Sequence, residues 1–174
     1  MLPYTAYGDL VHARIESSYG IRVVTRDVQD PLTGDLNGAE IHLDYLLSPE
    51  DRLFLLGHLF GHTVQWNVHP DAFDIGKLRH PPVAEAELPP VIEYERQAAA
   101  YALNLFHECG IHDADQWFSD YTACDMAYLT HFYRTGEKRP FREFWATGTP
   151  VIAPLPVPPF RPQARILRRD GVVI

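Results

Sequence analysis

Between Leu53 and Trp66 the chain reads LFLLGHLFGHTVQW, apolar on nearly every side of a helix except for two histidines. A helix that is apolar all round belongs in the centre of a fold. An unpaired imidazole in such a setting costs on the order of several kcal/mol. Any fold built on this segment must therefore enclose it and give His58 and His62 partners. The helix also has a well-marked start. Ser48 is placed as N-cap, Pro49 takes the first helical position, and Asp51 stands where a capping box closes.

His58 and His62 are four residues apart, which puts both imidazoles on one helix face, one turn apart. Such a pair can supply two adjacent corners of a zinc tetrahedron, and a third ligand must come from another element. Glu95 is the best candidate. It falls in a strong helix over 91–108 (VIEYERQAAAYALNLFHE), on one face with Ala98, Ala99 and Ala102, whose small side chains would let a neighbouring helix come close. Two histidines and one carboxylate leave a position open for water or substrate, the arrangement of catalytic zinc. The same donors also form the facial triad of non-haem iron enzymes, so Fe2+ is the alternative ion. A reading without metal remains beside these, in which both rings hydrogen-bond to backbone and to Glu95.

The rest of the chain reads as follows. Residues 5–19 carry apolar positions at helical spacing and stop at Gly20; Ile21–Val28 and Ala39–Leu43 read as strands, with Pro31, Gly34, Asn37 and Gly38 as turn markers. Residues 67–90, rich in proline and without steady period, are expected to form a long loop walling a cleft. A further helix starts near Asp113, with Trp117, Tyr121, Cys124, Tyr128 and Phe132 along one stripe and Gly136 as its stop. The expected fold is α+β: a small, mostly antiparallel sheet at one edge of a helical core, with the metal between the helices of 48–66 and 91–108. Residues 1–146 are expected to make one domain. Residues 147–174 form a proline-rich extended segment packed on it or trailing from it, with Arg165 to Ile174 either an edge strand or loose.

The stretch from Gly38 to His62, followed by Glu95 to Leu105, resembles the ImmA/IrrE-type metallopeptidases. In that family a strand pair leads into a capped helix bearing HExxH, and a later helix carries a glutamate in the pattern E-x-x-A-N-x-F-A. Here the first motif reads His58-Leu59-Phe60-Gly61-His62-Thr63 and the second Glu95-Arg96-Gln97-Ala98-Ala99-Ala100-Tyr101-Ala102. The resemblance implies a zincin-like helical core, a metallopeptidase-like domain over residues 1–146, His58, His62 and Glu95 as ligands, and residues 34–43 as one wall of a substrate cleft. It also marks a departure. The glutamate that serves as general base in the family is Leu59, and losing a base costs roughly 10²–10⁴-fold. The asparagine of the second motif is Ala99. Glu93 and Tyr94, beside Glu95, and His69 and His80 in the long loop are weak candidates to replace the base. The expectations are a divergent metal-dependent hydrolase, an inactive pseudo-peptidase that binds a peptide or small molecule, or an iron enzyme.

A net charge of −8 argues against a general nucleic-acid binder, which needs a basic surface. The cluster Arg161, Arg165, Arg168 and Arg169 is expected to be a solvated tail or to meet an acidic protein partner. No apolar run approaches the ~18–20 residues of a membrane span, and no basic region precedes an apolar one at the start, so no secretory signal is expected. Cys109 and Cys124 form no paired pattern and read as reduced, buried thiols of a cytoplasmic protein. His107 and His112 are expected to be surface residues; His131, one residue from the apolar stripe, is near enough to approach the site, though nothing in the spacing requires it.

Overall fold

The computed structural model describes residues 1–28, 33–76 and 81–165. Its elements are α1 (Tyr4–Tyr19), β1 (Arg22–Arg26), β2 (Gly34–Leu36), β3 (Glu40–Asp44), α2 (Pro49–Val68), α3 (Ala72–Ile75), α4 (Leu88–Glu108) and α5 (Asp115–Thr135), with short 3-10 turns at Glu85–Glu87 and Phe141–Phe144. The chain is α+β. His80, Arg168, Arg169, Pro31 and nearly all of the proposed terminal edge strand lie outside the described residues.

α2 is the central element, as its composition requires. From Leu53 to Trp66 nearly every residue is buried, packed by Val11 and Ile15 of α1, Ile41 and Leu43 of β3, and Leu103 and Phe106 of α4. Its N-terminus is built as the sequence indicates. The Ser48 hydroxyl oxygen accepts the Asp51 N–H at 3.1 Å and donates to the Asp51 carboxylate at 2.6 Å.

The sheet corrects the expectation of a mostly antiparallel one. Its order is β1-β3-β2, with β1 parallel to β3 (Val23 opposite Ile41) and β2 antiparallel to β3 (Leu36 opposite Ile41). The two strands legible in the sequence are therefore parallel neighbours, and the hairpin partner of β3 is β2. Three residues starting with glycine are too short to show alternation, so β2 reads as part of a turn. The hairpin closes at Asn37-Gly38: the Asn37 side-chain oxygen accepts the N–H of Ala39 and of Glu40, each at 2.9 Å, and Gly38 sits at φ +94°.

Two boundaries also move. α4 begins at Leu88, not 91, because Pro89 and Pro90 occupy its first turn, where no intrahelical N–H is needed. The expected loop 67–90 holds α3 and a 3-10 turn. Cys124 is buried as expected, while Cys109 is only half-buried. Among the described residues no helix is long and apolar enough to cross a membrane.

After Trp145 the proline-rich segment runs extended over the body as a strap. Asp120 accepts the N–H groups of Gly148 and Thr149 and the Thr149 hydroxyl. Further along, Leu155 N–H donates to the Ala100 carbonyl, Gln163 N–H to the Asn67 side chain, and Arg165 N–H to the Asn37 carbonyl. None of these partners belongs to the histidine pair or to Glu95.

Candidate metal centre

The position of Glu95 follows from how closely α2 and α4 cross. Gly61 lies directly on the α4 backbone: a Cβ there would stand 2.0 Å from the Ala98 carbonyl oxygen. One turn earlier, a Cβ on Gly57 would meet Ala102 at 3.3 Å. Glycines on one helix and alanines on the other therefore make the contact. Glu95 lies one turn before Ala98, and His58 and His62 flank Gly61 on α2. Helix contact at this depth brings carboxylate and imidazoles together.

They converge as the spacing indicates. His62 Nε2 lies 3.1 Å from His58 Nε2 and 3.1 Å from Glu95 Oε2, and His58 Nε2 lies 3.7 Å from Glu95 Oε2. A tetrahedral zinc with ligand bonds of ~2.0–2.1 Å has ligand-to-ligand edges of ~3.3–3.4 Å, which the three distances bracket. Among the described residues these three form the one cluster of such donor atoms. The side chains of His62, Glu95 and His58 are 7%, 12% and 15% exposed, so the site is nearly enclosed yet reachable.

The rings are held from outside. His62 Nδ1 meets Gln65 Oε1 at 2.9 Å, and the Gln65 amide nitrogen donates to the Tyr94 carbonyl and to Gln97 Oε1, each at 2.8 Å. Those two acceptors orient the amide, so its oxygen accepts from Nδ1–H and Nε2 faces the cluster. An outer hydrogen bond of this kind is what orients a ligating histidine. The Tyr94 ring stacks on His62 at 4.4 Å, and Phe54 stacks on His58 at 5.5 Å.

Charge in the cluster is shared. Burial opposes ionisation of both Glu95 and His62, but each favours the charged form of the other, so the Glu95 carboxyl is lowered and His62 raised. His58 is pushed down to about 4 by burial and then by His62. It is therefore neutral at pH 7, as an imidazole must be to bind a metal.

The weak base candidates are not brought to this point. Glu93 turns to solvent and pairs with Arg96 at 3.3 Å. The Tyr94 hydroxyl accepts from Trp66 Nε1 at 2.7 Å, away from the cluster, and burial followed by the charge of Glu95 raises its pKa. Tyr94 contributes its ring face and its carbonyl. His69 meets the Tyr101 hydroxyl at 3.0 Å, His107 pairs with Asp115, and His131 lies against Phe144. His42 sits between Asp35 and Glu40, one carboxylate on each ring nitrogen.

Leu59, where the family motif has its base, is buried. Its Cδ1 would lie 2.9 Å from a Cβ at Gly34, so the side chain fills the space between α2 and β2. Sequence reasoning missed Gln65, which holds His62 Nδ1, and Asp125 of α5, whose charge acts on His62. Gln65 had a signal, being another polar residue inside the apolar run, three after His62. Asp125 was hidden in an aromatic stripe that reads as packing. Comparison with protein-family models, curated proteins and solved structures finds no match.

Proposed function

We propose that the chain binds one divalent cation, zinc in preference to Fe2+, through His58, His62 and Glu95, and acts as a divergent hydrolase of the ImmA/IrrE metallopeptidase type. The observation that carries this reading is the triangle of three donor atoms with edges of 3.1, 3.1 and 3.7 Å, with His62 oriented by Gln65. Bound there, a cation supplies Lewis-acid polarisation of a carbonyl and a site for water. The residues of the chain do the rest. Gln65 and Tyr94 fix His62, Phe54 fixes His58, and Leu59 fills the space between α2 and β2. An open groove of about 410 Å³ between α4 and α5, lined by Ile92, Met126 and Ala127 among others, is suited to an apolar portion of a peptide or small molecule. No nucleic acid or membrane enters this reading, and the free thiols of Cys109 and Cys124 support a cytoplasmic location.

Metal analysis of purified wild type beside His62→Ala tests the site. One zinc per chain is expected in the wild type and none in the variant. Equal metal in both defeats the proposal, and iron in place of zinc turns it to the redox alternative. The buried Leu59 favours a second reading, a pseudo-peptidase that binds without cutting. A zinc-loaded wild type that retains peptides from a mixed library and cleaves none would select it. A protein partner for the C-terminal segment would have to engage it while it is docked on the body or displace it.

A further inference from the structure

Leu59 packs from α2 toward β2, whereas α5 approaches the residues around the cluster through other contacts. Tyr121 of α5 stacks on Phe54 at 3.8 Å, and Phe54 in turn stacks on His58. Two turns further along α5, Leu129 lines a small pocket together with Glu95. Residues four and eight apart share one helix face. Asp125 lies midway between Tyr121 and Leu129, so it occupies the face of α5 that meets the cluster. The pocket holds about 10 Å³, room for roughly one water. It shares Ile92, Met126 and Thr130 with the open groove outside. A water thus has a route from the groove to Glu95 past α5.

We propose that Asp125 is the base of this site, in place of the glutamate of the family motif. The inference rests on the cation site proposed above. Asp125 takes one proton from the attacking water, whose oxygen forms the bond to the substrate's carbonyl carbon. The carbon–nitrogen bond then breaks, and the proton passes from Asp125 to the departing amine. Asp125 stands outside the three-residue donor cluster, which fits a partner of water and not a fourth ligand. Its electrostatics agree. Burial first, then the charge of Glu95, push its carboxyl up to about 7, while His62 pulls it down; the acid therefore lies within range of both neighbours' charge.

Cobalt(II) is the probe, because its visible spectrum reports coordination without needing a substrate. Wild type, Asp125→Asn and Asp125→Glu are loaded with cobalt, and the spectrum of each is followed against pH, with thermal melting as the check on folding. The proposal expects full cobalt in all three. It expects a spectral pH midpoint displaced by at least one unit in Asp125→Asn and moved back toward wild type in Asp125→Glu. Turnover of a quenched peptide library should fall roughly 10²–10⁴-fold in Asp125→Asn. An unchanged midpoint at full cobalt overturns the role of Asp125, and loss of cobalt in a folded Asp125→Asn overturns it by making the residue a ligand. Wild type that takes no cobalt removes the cation site itself, and this inference with it.

Discussion

His62 is held on three sides: by Gln65 at Nδ1, by the Tyr94 ring on its face, and by His58 and Glu95 at Nε2. Of these, Gln65 is the contact a sequence pattern does not announce. Gln65→Leu keeps the size of the side chain and removes the acceptor. Zinc affinity is expected to fall about 10–100-fold with the fold retained, read by competition with a chromogenic chelator. Affinity equal to wild type would show that Nδ1 needs no partner. A second residue-scale prediction concerns Leu59. A glutamate at position 59, as in the motif the sequence resembles, places a carboxylate against Gly34 and β2, with burial and no described partner. Leu59→Glu is therefore expected to lose about 2 kcal/mol or more in urea unfolding. A variant as stable as wild type would mean that the side chain escapes to the cluster. The histidine pair was legible because its spacing is local. Which atoms face it from α5 was not, because helix faces in contact are set by packing.

At the scale of elements, the site exists because α2 and α4 cross at glycine and alanine. The alanines were legible as a smooth face on the second helix. Gly57 and Gly61 complete the contact from α2, and Gly61 admits no side chain at all. Gly61→Ala is expected to force the helices apart and destabilise the protein by about 3 kcal/mol. Metal binding should be lost with it, because Glu95 moves with α4. Denaturant midpoint and metal content together check this, and a normal value of either would contradict the crossing. The sheet shows the limit of reading elements one at a time. Alternation identified the residues of β1 and β3, but strand direction depends on β2, whose three residues carry no periodic signal.

Over the whole molecule, the strap ties α5, α4, α2 and the hairpin turn together from outside. Gly38 serves both the turn, at φ +94°, and the strap, since a Cβ there would lie 2.5 Å from the Gln163 carbonyl oxygen. Asp120 anchors its start. Burial works against ionising this carboxyl, but hydrogen bonds from Thr149, Gln116 and Gly148 outweigh it and hold its pKa below the ordinary 3.8. A depressed carboxylate contributes stability that is fully present above the unfolded value and is lost as pH falls through the folded one. Asp120→Asn is therefore expected to be about 2 kcal/mol less stable than wild type at pH 7, with the gap closing below about pH 4. A gap that persists undiminished in acid would assign the anchor to shape and not to charge. By itself the sequence determined what short-range physics governs: the capped, buried α2, the i, i+4 imidazoles, the alanine face carrying Glu95, and the extended proline-rich end. The tertiary structure decided what depends on contacts between distant segments. It set the parallel pairing of β1 with β3, packed Leu59 toward Gly34, and laid α5 against α2 through Tyr121 and Phe54. Periodicity assigns a residue to a face, and only close packing decides which other face it meets.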